Sequence, residues 1–157
     1  MPRYINQIII HCSDSPYGRD DRAADIKRWH TAPPPRGNGW KDIGYHYIID
    51  LDGTVEHGRL ISQPGAHCYG HNAHSIGVCY IGGRDVDGNP ADTRTPEQKS
   101  SLLKLLANLI NMYGCKIAGH RDLDNKKECP CFDAKGEYAN LYKQMLERRI
   151  LAGKKLN

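Results

Sequence analysis

The sequence predicts a single α/β domain in which helices pack on the faces of a mixed central β-sheet. Strand and helix patterns alternate along the chain, as they do in α/β folds. The run over residues 75–81, SIGVCYI, is nearly continuous in apolar residues, which is typical of a strand covered on both faces. The 157 residues suffice for one sizeable core. We find no repeat or linker, and therefore predict one domain over residues 1–157, with a core of about 5–151 and a tail at 152–157.

The N-terminal third contains the patterns of one helix and three strands, the last two of which are joined as a hairpin. Residues 5–11 form a short β-rich apolar run, and residues 21–29 carry apolar side chains at helical spacing. That helix should end before the loop at 33–39, which is rich in proline and glycine. The β-rich runs at 45–50 and 54–56 flank an Asp-Gly pair, which predicts a β-hairpin.

The C-terminal half begins with an irregular loop at 58–74, rich in Gly, His, Pro and Asn, before the strand at 75–81. A second helix is predicted to start at Thr95, followed by proline and, three residues on, glutamine, and to stop at Gly114 with a broad apolar face between. Residues 115–118 are predicted to form a short strand. The last helix should span 138–150, and its predicted buried side consists of Leu141, Met145, Leu146 and Ile150.

Composition excludes several classes of function. The hydrophobic fraction of 39% and charged fraction of 25% are ordinary for a globular protein. The net charge of +4 comes from dispersed basic residues, so we expect no nucleic-acid partner. No apolar run approaches the roughly 20 residues needed to span a bilayer, so we expect no membrane insertion. The N-terminus lacks the apolar core of a secretory signal, so we expect cytoplasmic synthesis and mostly reduced cysteines.

Two histidines and one cysteine lie at the ends of segments that could hold a metal ligand in a fixed orientation. His11 closes an apolar strand pattern, His120 follows the strand at 115–118, and Cys129 comes nine positions later. This set suits Zn²⁺, and three protein ligands leave a fourth position open, as in catalytic sites. Closed structural sites usually contain Cys-x-x-Cys pairs, which are absent from this sequence. The spacing alone leaves open the alternative that each histidine is an ordinary residue at a sheet edge or in the core.

A set of ordered blocks runs from residue 8 to about residue 134. They are Ile10-His11-Cys12-Ser13, Gly39-Trp40-Lys41-Asp42-Ile43-Gly44-Tyr45-His46, Asp52-Gly53-Thr54-Val55-Glu56, Gly65-Ala66-His67, Ser75-Ile76-Gly77-Val78-Cys79, Gly82-Gly83, Gly119-His120-Arg121-Asp122 and Cys129-Pro130-Cys131-Phe132-Asp133. On these residues the chain resembles the zinc-dependent N-acetylmuramoyl-L-alanine amidases of the type-2 family. That family includes phage lysozymes of amidase type and the peptidoglycan recognition proteins.

The resemblance implies a reaction and roles for five residues. The zinc ligands would be His11, His120 and Cys129, and the catalytic residues Tyr45 and Lys127. The expected activity is hydrolysis of the amide bond between N-acetylmuramic acid and L-alanine in peptidoglycan, as in a phage or prophage lysis enzyme that reaches the cell wall after its release. A phenol and an ammonium group would donate hydrogen bonds to the oxyanion of that reaction.

The resemblance also leaves alternatives open. His67 should contact the substrate or a metal ligand, and Trp40 should line the substrate groove or anchor the core. Lys126 competes with Lys127 for the catalytic position. Cys131 could compete for zinc, although Cys129 is kept as the ligand because two cysteines separated only by Pro130 rarely reach one tetrahedral ion. The alternative function is a peptidoglycan-binding module without activity, although in such modules the ligand cysteine is typically replaced. A cytoplasmic protein partner is possible in this family, but nothing in the sequence predicts one.

Overall fold

The computed structural model describes residues 2–155, which form a five-stranded mixed β-sheet with helices around it. The strands are β1 (Gln7–Cys12), β2 (Tyr47–Ile49), β3 (Val55–His57), β4 (Ser75–Tyr80) and β5 (Lys116–Gly119). The helices are α1 (Ala23–Thr31), α2 (Pro96–Tyr113), α3 (His120–Leu123), α4 (Ala134–Glu137) and α5 (Ala139–Leu151). No helix within residues 2–155 combines the length and apolar character needed to cross a membrane.

The strand order β3-β2-β4-β1-β5 confirms the predicted α/β class with a mixed sheet. Strand β1 runs parallel to both β4 and β5, and β2 runs parallel to β4. Strand β3 is antiparallel to β2, which confirms the hairpin predicted from the Asp-Gly pair. All six residues of β4 are buried at the centre of the sheet, as the apolar run predicted. Strand β2 is shorter than the β-rich run at 45–50, whereas β3 has the length of the run at 54–56 and is displaced by one residue.

Helix α2 begins and ends where the sequence predicts. Thr95 caps the N-terminus by accepting a hydrogen bond from the backbone of Gln98, and Gly114 ends the helix in the left-handed region with φ 66°. The Gln98 side chain also donates to the carbonyls of Ile49 and Ile81, which fixes α2 over the ends of β2 and β4. The buried face is narrower than expected, because Leu103 is 48% exposed. The side chains it buries are Leu102, Leu106, Leu109 and Ile110.

The prediction for the last helix is wrong at one position. Met145 is buried in α5 as expected, but Ile150 is 53% exposed and Arg149 is buried in its place. Residues four apart share a helix face, so Arg149 follows Met145 onto the buried side. Its guanidinium donates to the carbonyls of Asn111 and Lys155, which satisfies the charge that burial would otherwise isolate. Residues 156–157 of the predicted tail lie outside the described part of the chain.

Candidate active site

The topology brings two predicted ligands to one edge of the sheet. In the parallel pair of β1 and β5, Ile10 lies opposite Gly119. The next residue in each chain segment is a histidine, His11 in β1 and His120 at the start of α3. Because the carboxyl ends of parallel strands meet at one edge, these two side chains lie side by side, with ring centroids 4.7 Å apart.

Cys129 completes a cluster with ligand spacing. The candidate ligand atoms of His11, His120 and Cys129 all lie within 4.8 Å of one another. The His11 Nδ1 atom is 3.8 Å from the Cys129 sulfur. Zinc bonds of about 2.0 Å to nitrogen and about 2.3 Å to sulfur separate tetrahedral ligand atoms by roughly 3.5 Å, so the donor set and its spacing fit zinc.

The backbone holds the Cys129 sulfur towards the histidines. The amide N–H of Cys12 donates to the Cys129 sulfur at 3.2 Å, and the amide of Arg121 donates to the Cys129 carbonyl at 2.7 Å. A hydrogen bond with Cys129 raises the pKa of the Cys12 thiol to about 12, so Cys12 stays protonated beside it. The sulfur of Cys129 is therefore held in position before any ion binds.

A chain of hydrogen bonds sets the orientation of His11. His11 Nε2 is 2.8 Å from His67 Nδ1, and His67 Nε2 is 3.3 Å from the Ser75 hydroxyl. Ser75 uses its own proton to donate to the His71 carbonyl at 2.7 Å, so it accepts from His67. His67 Nδ1 must then accept from the N–H of His11. This assignment leaves the Nδ1 lone pair of His11 facing Cys129.

Electrostatics keeps these imidazoles neutral, which is the form that binds a metal. Burial, followed by the influence of His67 and His120, holds the pKa of His11 well below its usual value. Burial also lowers the pKa of His67 to about 3. The pKa of His120 is lowered by burial first and by the nearby Lys127 charge second.

Two glycines make room for His67. A Cβ atom at Gly77, in the buried central strand, would lie 2.6 Å from the His67 ring, and one at Gly65 would lie 2.5 Å from it. Atoms at these distances overlap, so neither position accepts a side chain without moving His67. A glycine in the middle of a strand usually weakens it, and here it permits close approach of the ring.

Tyr45 and Lys127, the two predicted catalytic residues, both line the space beside the cluster. The Tyr45 ring centroid lies 5.1 Å from that of His11. Burial raises the pKa of Tyr45 well above its usual value, so the phenol keeps its proton and can donate it in a hydrogen bond. Lys127 is exposed and borders two neighbouring clefts, whereas Lys126 borders only one of them.

The two clefts meet at the candidate site. One, of about 400 Å³, contains His11, His120 and Cys129, and the other, of about 420 Å³, runs past Trp40 and the fully exposed Tyr69. Tyr45, His120 and Lys127 border both clefts. The two clefts therefore adjoin at these three residues, next to the cluster.

Trp40 and His67 both border the second cleft but differ in exposure. Trp40 is 39% exposed and forms part of the wall of the second cleft. His67 is only 9% exposed and hydrogen bonds to His11, although it also borders the second cleft. The sequence analysis assigned no role to Ser75, because that role depends on a contact with His67 formed only in the folded chain.

Comparison with known proteins gives one family. The family model described as N-acetylmuramoyl-L-alanine amidase matches residues 1–132. The endolysin of Klebsiella phage KP32 is 42% identical over 131 residues, which cover 83% of this chain and 83% of that protein. The endolysin of Escherichia phage T7 is 40% identical over 129 residues, which cover 82% of each chain.

Among solved structures, the N-acetylmuramoyl-L-alanine amidase LysC from Clostridium intestinale URNW superposes with a TM-score of 0.70 at 29% identity. The match covers 87% of this chain and 85% of that one. Drosophila PGRP-LB superposes with a TM-score of 0.70 at 24% identity, over 88% of this chain and 82% of that one, and shows the shared fold alone.

Proposed function

The chain belongs to the N-acetylmuramoyl-L-alanine amidase family, and from this premise we propose how its own residues perform the reaction. The activity is hydrolysis of the amide bond between N-acetylmuramic acid and L-alanine in peptidoglycan, by a phage-type lysis enzyme that acts on the cell wall. The observation that carries the proposal is the convergence of His11, His120 and Cys129 within 4.8 Å beside Tyr45.

These three residues are proposed to hold Zn²⁺. When bound, the ion supplies Lewis-acid chemistry that polarises an amide carbonyl and lowers the pKa of water. His11 contributes Nδ1 because its other nitrogen donates to His67. Cys129 contributes a sulfur already stabilised by the Cys12 amide.

Tyr45 and Lys127 are proposed to stabilise the negative charge that develops on the carbonyl oxygen. Tyr45 retains its proton because burial raises its pKa, so it can donate a hydrogen bond to that oxygen. Lys127 brings a positive charge to the same place, where its influence already lowers the pKa of His120. Lys127 is preferred to Lys126 because it borders both clefts.

The two adjoining clefts suit a substrate with two arms. The scissile amide joins a glycan to a peptide, so the glycan and the peptide each require a cleft of their own. We propose that the amide binds where the clefts meet, beside Tyr45 and His120, and that Trp40 and Tyr69 contact one arm through their exposed rings. Cleavage of substrates with a shortened glycan or a shortened peptide will show which arm binds in which cleft.

The test is release of stem peptides with a free L-alanine amino group from purified cell wall, with zinc content measured on the same protein. The wild type should release them and contain one zinc ion per chain. His11→Ala should lose both properties. His57→Ala, which changes an exposed histidine on the edge strand β3, should retain both and serves as the matched control. Binding of wall fragments without cleavage by the zinc-loaded protein would instead indicate a binding module.

A further inference from the structure

Two cysteines outside the proposed ligand set lie next to each other in the active-site cleft. The sulfur of Cys12 is 3.9 Å from that of Cys131, and both residues border the cleft that contains Cys129. Cys12 ends β1 directly after His11, and Cys131 lies on the loop two residues after Cys129. The two cysteines therefore lie on the same two segments as the proposed zinc ligands, Cys12 beside His11 and Cys131 near Cys129.

The backbone of Gly83 supports both sulfurs. A Cβ atom at Gly83 would lie 2.6 Å from the Cys12 sulfur, so that sulfur packs directly against the glycine. The thiol of Cys131 donates to the Gly83 carbonyl at 3.5 Å. Gly83 is itself fixed, because its amide donates to Thr93 Oγ1 at 2.8 Å and its carbonyl accepts from the amide of Ala91 at 3.0 Å. Both sulfurs thus contact the backbone of Gly83, whose own hydrogen bonds fix its position.

We propose that Cys12 and Cys131 form a modification site, at which a small-molecule disulfide such as glutathione disulfide oxidises them to an intramolecular disulfide. An S–S bond is about 2.0 Å long, so the sulfurs must move roughly 2 Å closer. Cys131 lies on a loop and is half-buried, so its side chain has room for this movement, whereas Cys12 is only 6% exposed. Cys129 remains available for zinc.

The chemistry is a pair of thiol–disulfide exchanges. The more accessible Cys131 sulfur attacks one sulfur of the oxidant, forming a mixed disulfide and releasing one small thiol that carries away the proton. The Cys12 sulfur then attacks the Cys131 sulfur, and the second small thiol leaves with the second proton. The two cysteines lose two protons and two electrons, and the oxidant is reduced to two thiols.

The bond would tie the loop that carries Cys129 to the strand that carries His11. Its ends are 119 positions apart in the sequence, so it would restrict the unfolded chain strongly. The melting temperature should rise by about 5–10 °C on oxidation. The inference rests on the proposed function in one respect, which is that zinc keeps Cys129 out of the reaction.

The experiment uses the zinc-loaded full chain, incubated for hours with glutathione disulfide because neither sulfur is an activated thiolate. Free thiols are then alkylated under denaturing conditions, and the protein is digested without reductant. We expect one linked peptide pair containing Cys12 and Cys131, with Cys129 and the three buried cysteines Cys68, Cys79 and Cys115 alkylated. The melting temperature should rise and return to its original value with reductant. Cys131→Ser should show neither the link nor the rise.

Two outcomes would overturn the proposal: complete alkylation of all six cysteines after oxidation, or a link that contains Cys129. The result on the wild type needs no variant, so it stands even if Cys131→Ser folds poorly. Zinc content is measured on the same sample. A chain without zinc would refute the proposed cofactor, whereas the peptide map would still report on Cys12 and Cys131 separately.

Discussion

Replacement of His67 by alanine tests whether the orientation of His11 is set by its hydrogen bond. The bond of 2.8 Å between the two rings lies in the interior, and His67 is anchored in turn on Ser75 at 3.3 Å. Without His67, the N–H of His11 has no acceptor, and the proton can move to the nitrogen that faces Cys129. That tautomer cannot bind a metal through Nδ1.

The expected cost is a loss of zinc affinity of roughly 10- to 100-fold, the usual effect of removing the hydrogen-bond partner of a metal-binding histidine. This equals about 1.4–2.8 kcal/mol, which is consistent with the loss of one buried hydrogen bond and the desolvation of its donor. Ser75→Ala should have a smaller effect in the same direction, because it removes only the anchor of His67.

The assay is competition for zinc against a chelator of known affinity, combined with nitrogen chemical shifts of the His11 ring, which report its tautomer directly. His71→Ala is the matched control, because it removes an exposed imidazole from the same loop but keeps the carbonyl that Ser75 contacts. Zinc affinity within about twofold of the wild type for His67→Ala would refute the reasoning, since the expected effect is at least tenfold.

Three further predictions concern single substitutions. Tyr45→Phe should reduce kcat by roughly 10²- to 10³-fold with zinc content unchanged, because it removes a donor to the developing oxyanion; steady-state kinetics on purified wall fragments measures this. Gly77→Ala should destabilise the fold and weaken zinc binding together, because its methyl group would lie 2.6 Å from the His67 ring; urea unfolding and zinc competition on one preparation show whether the losses coincide. Burial and a neighbouring carboxylate raise the pKa of Asp50 to about 7, so its contribution to stability is present in acid and is lost as the pH rises through 7. Asp50→Asn should therefore gain roughly 2–3 kcal/mol relative to the wild type between pH 5 and pH 8, because the wild type loses about 1.4 kcal/mol for each pH unit until the raised pKa is reached. Urea unfolding across this range would contradict the prediction if the difference stayed constant.

The sequence was informative wherever the deciding interactions are local. The cap at Thr95 and the stop at Gly114 depend on neighbours within a few residues, so both ends of α2 were predictable. The central position of β4 followed from an apolar run that only a strand covered on both faces requires. By contrast, Arg149 was not predicted to be buried, because its partners at Asn111 and Lys155 come together only when α2, α5 and the tail are packed.

For the candidate site, the sequence determined which chemistry is available, since two histidines and a cysteine at strand ends are a donor set that suits zinc. Only the tertiary structure decided how those donors are oriented. The contact between His11 and His67 spans 56 positions, and the contact between Cys12 and Cys131 spans 119. Local patterns constrain residues within a few positions of each other, whereas contacts at these separations exist only because the sheet brings β1, the loop before β4 and the loop after α3 to one edge.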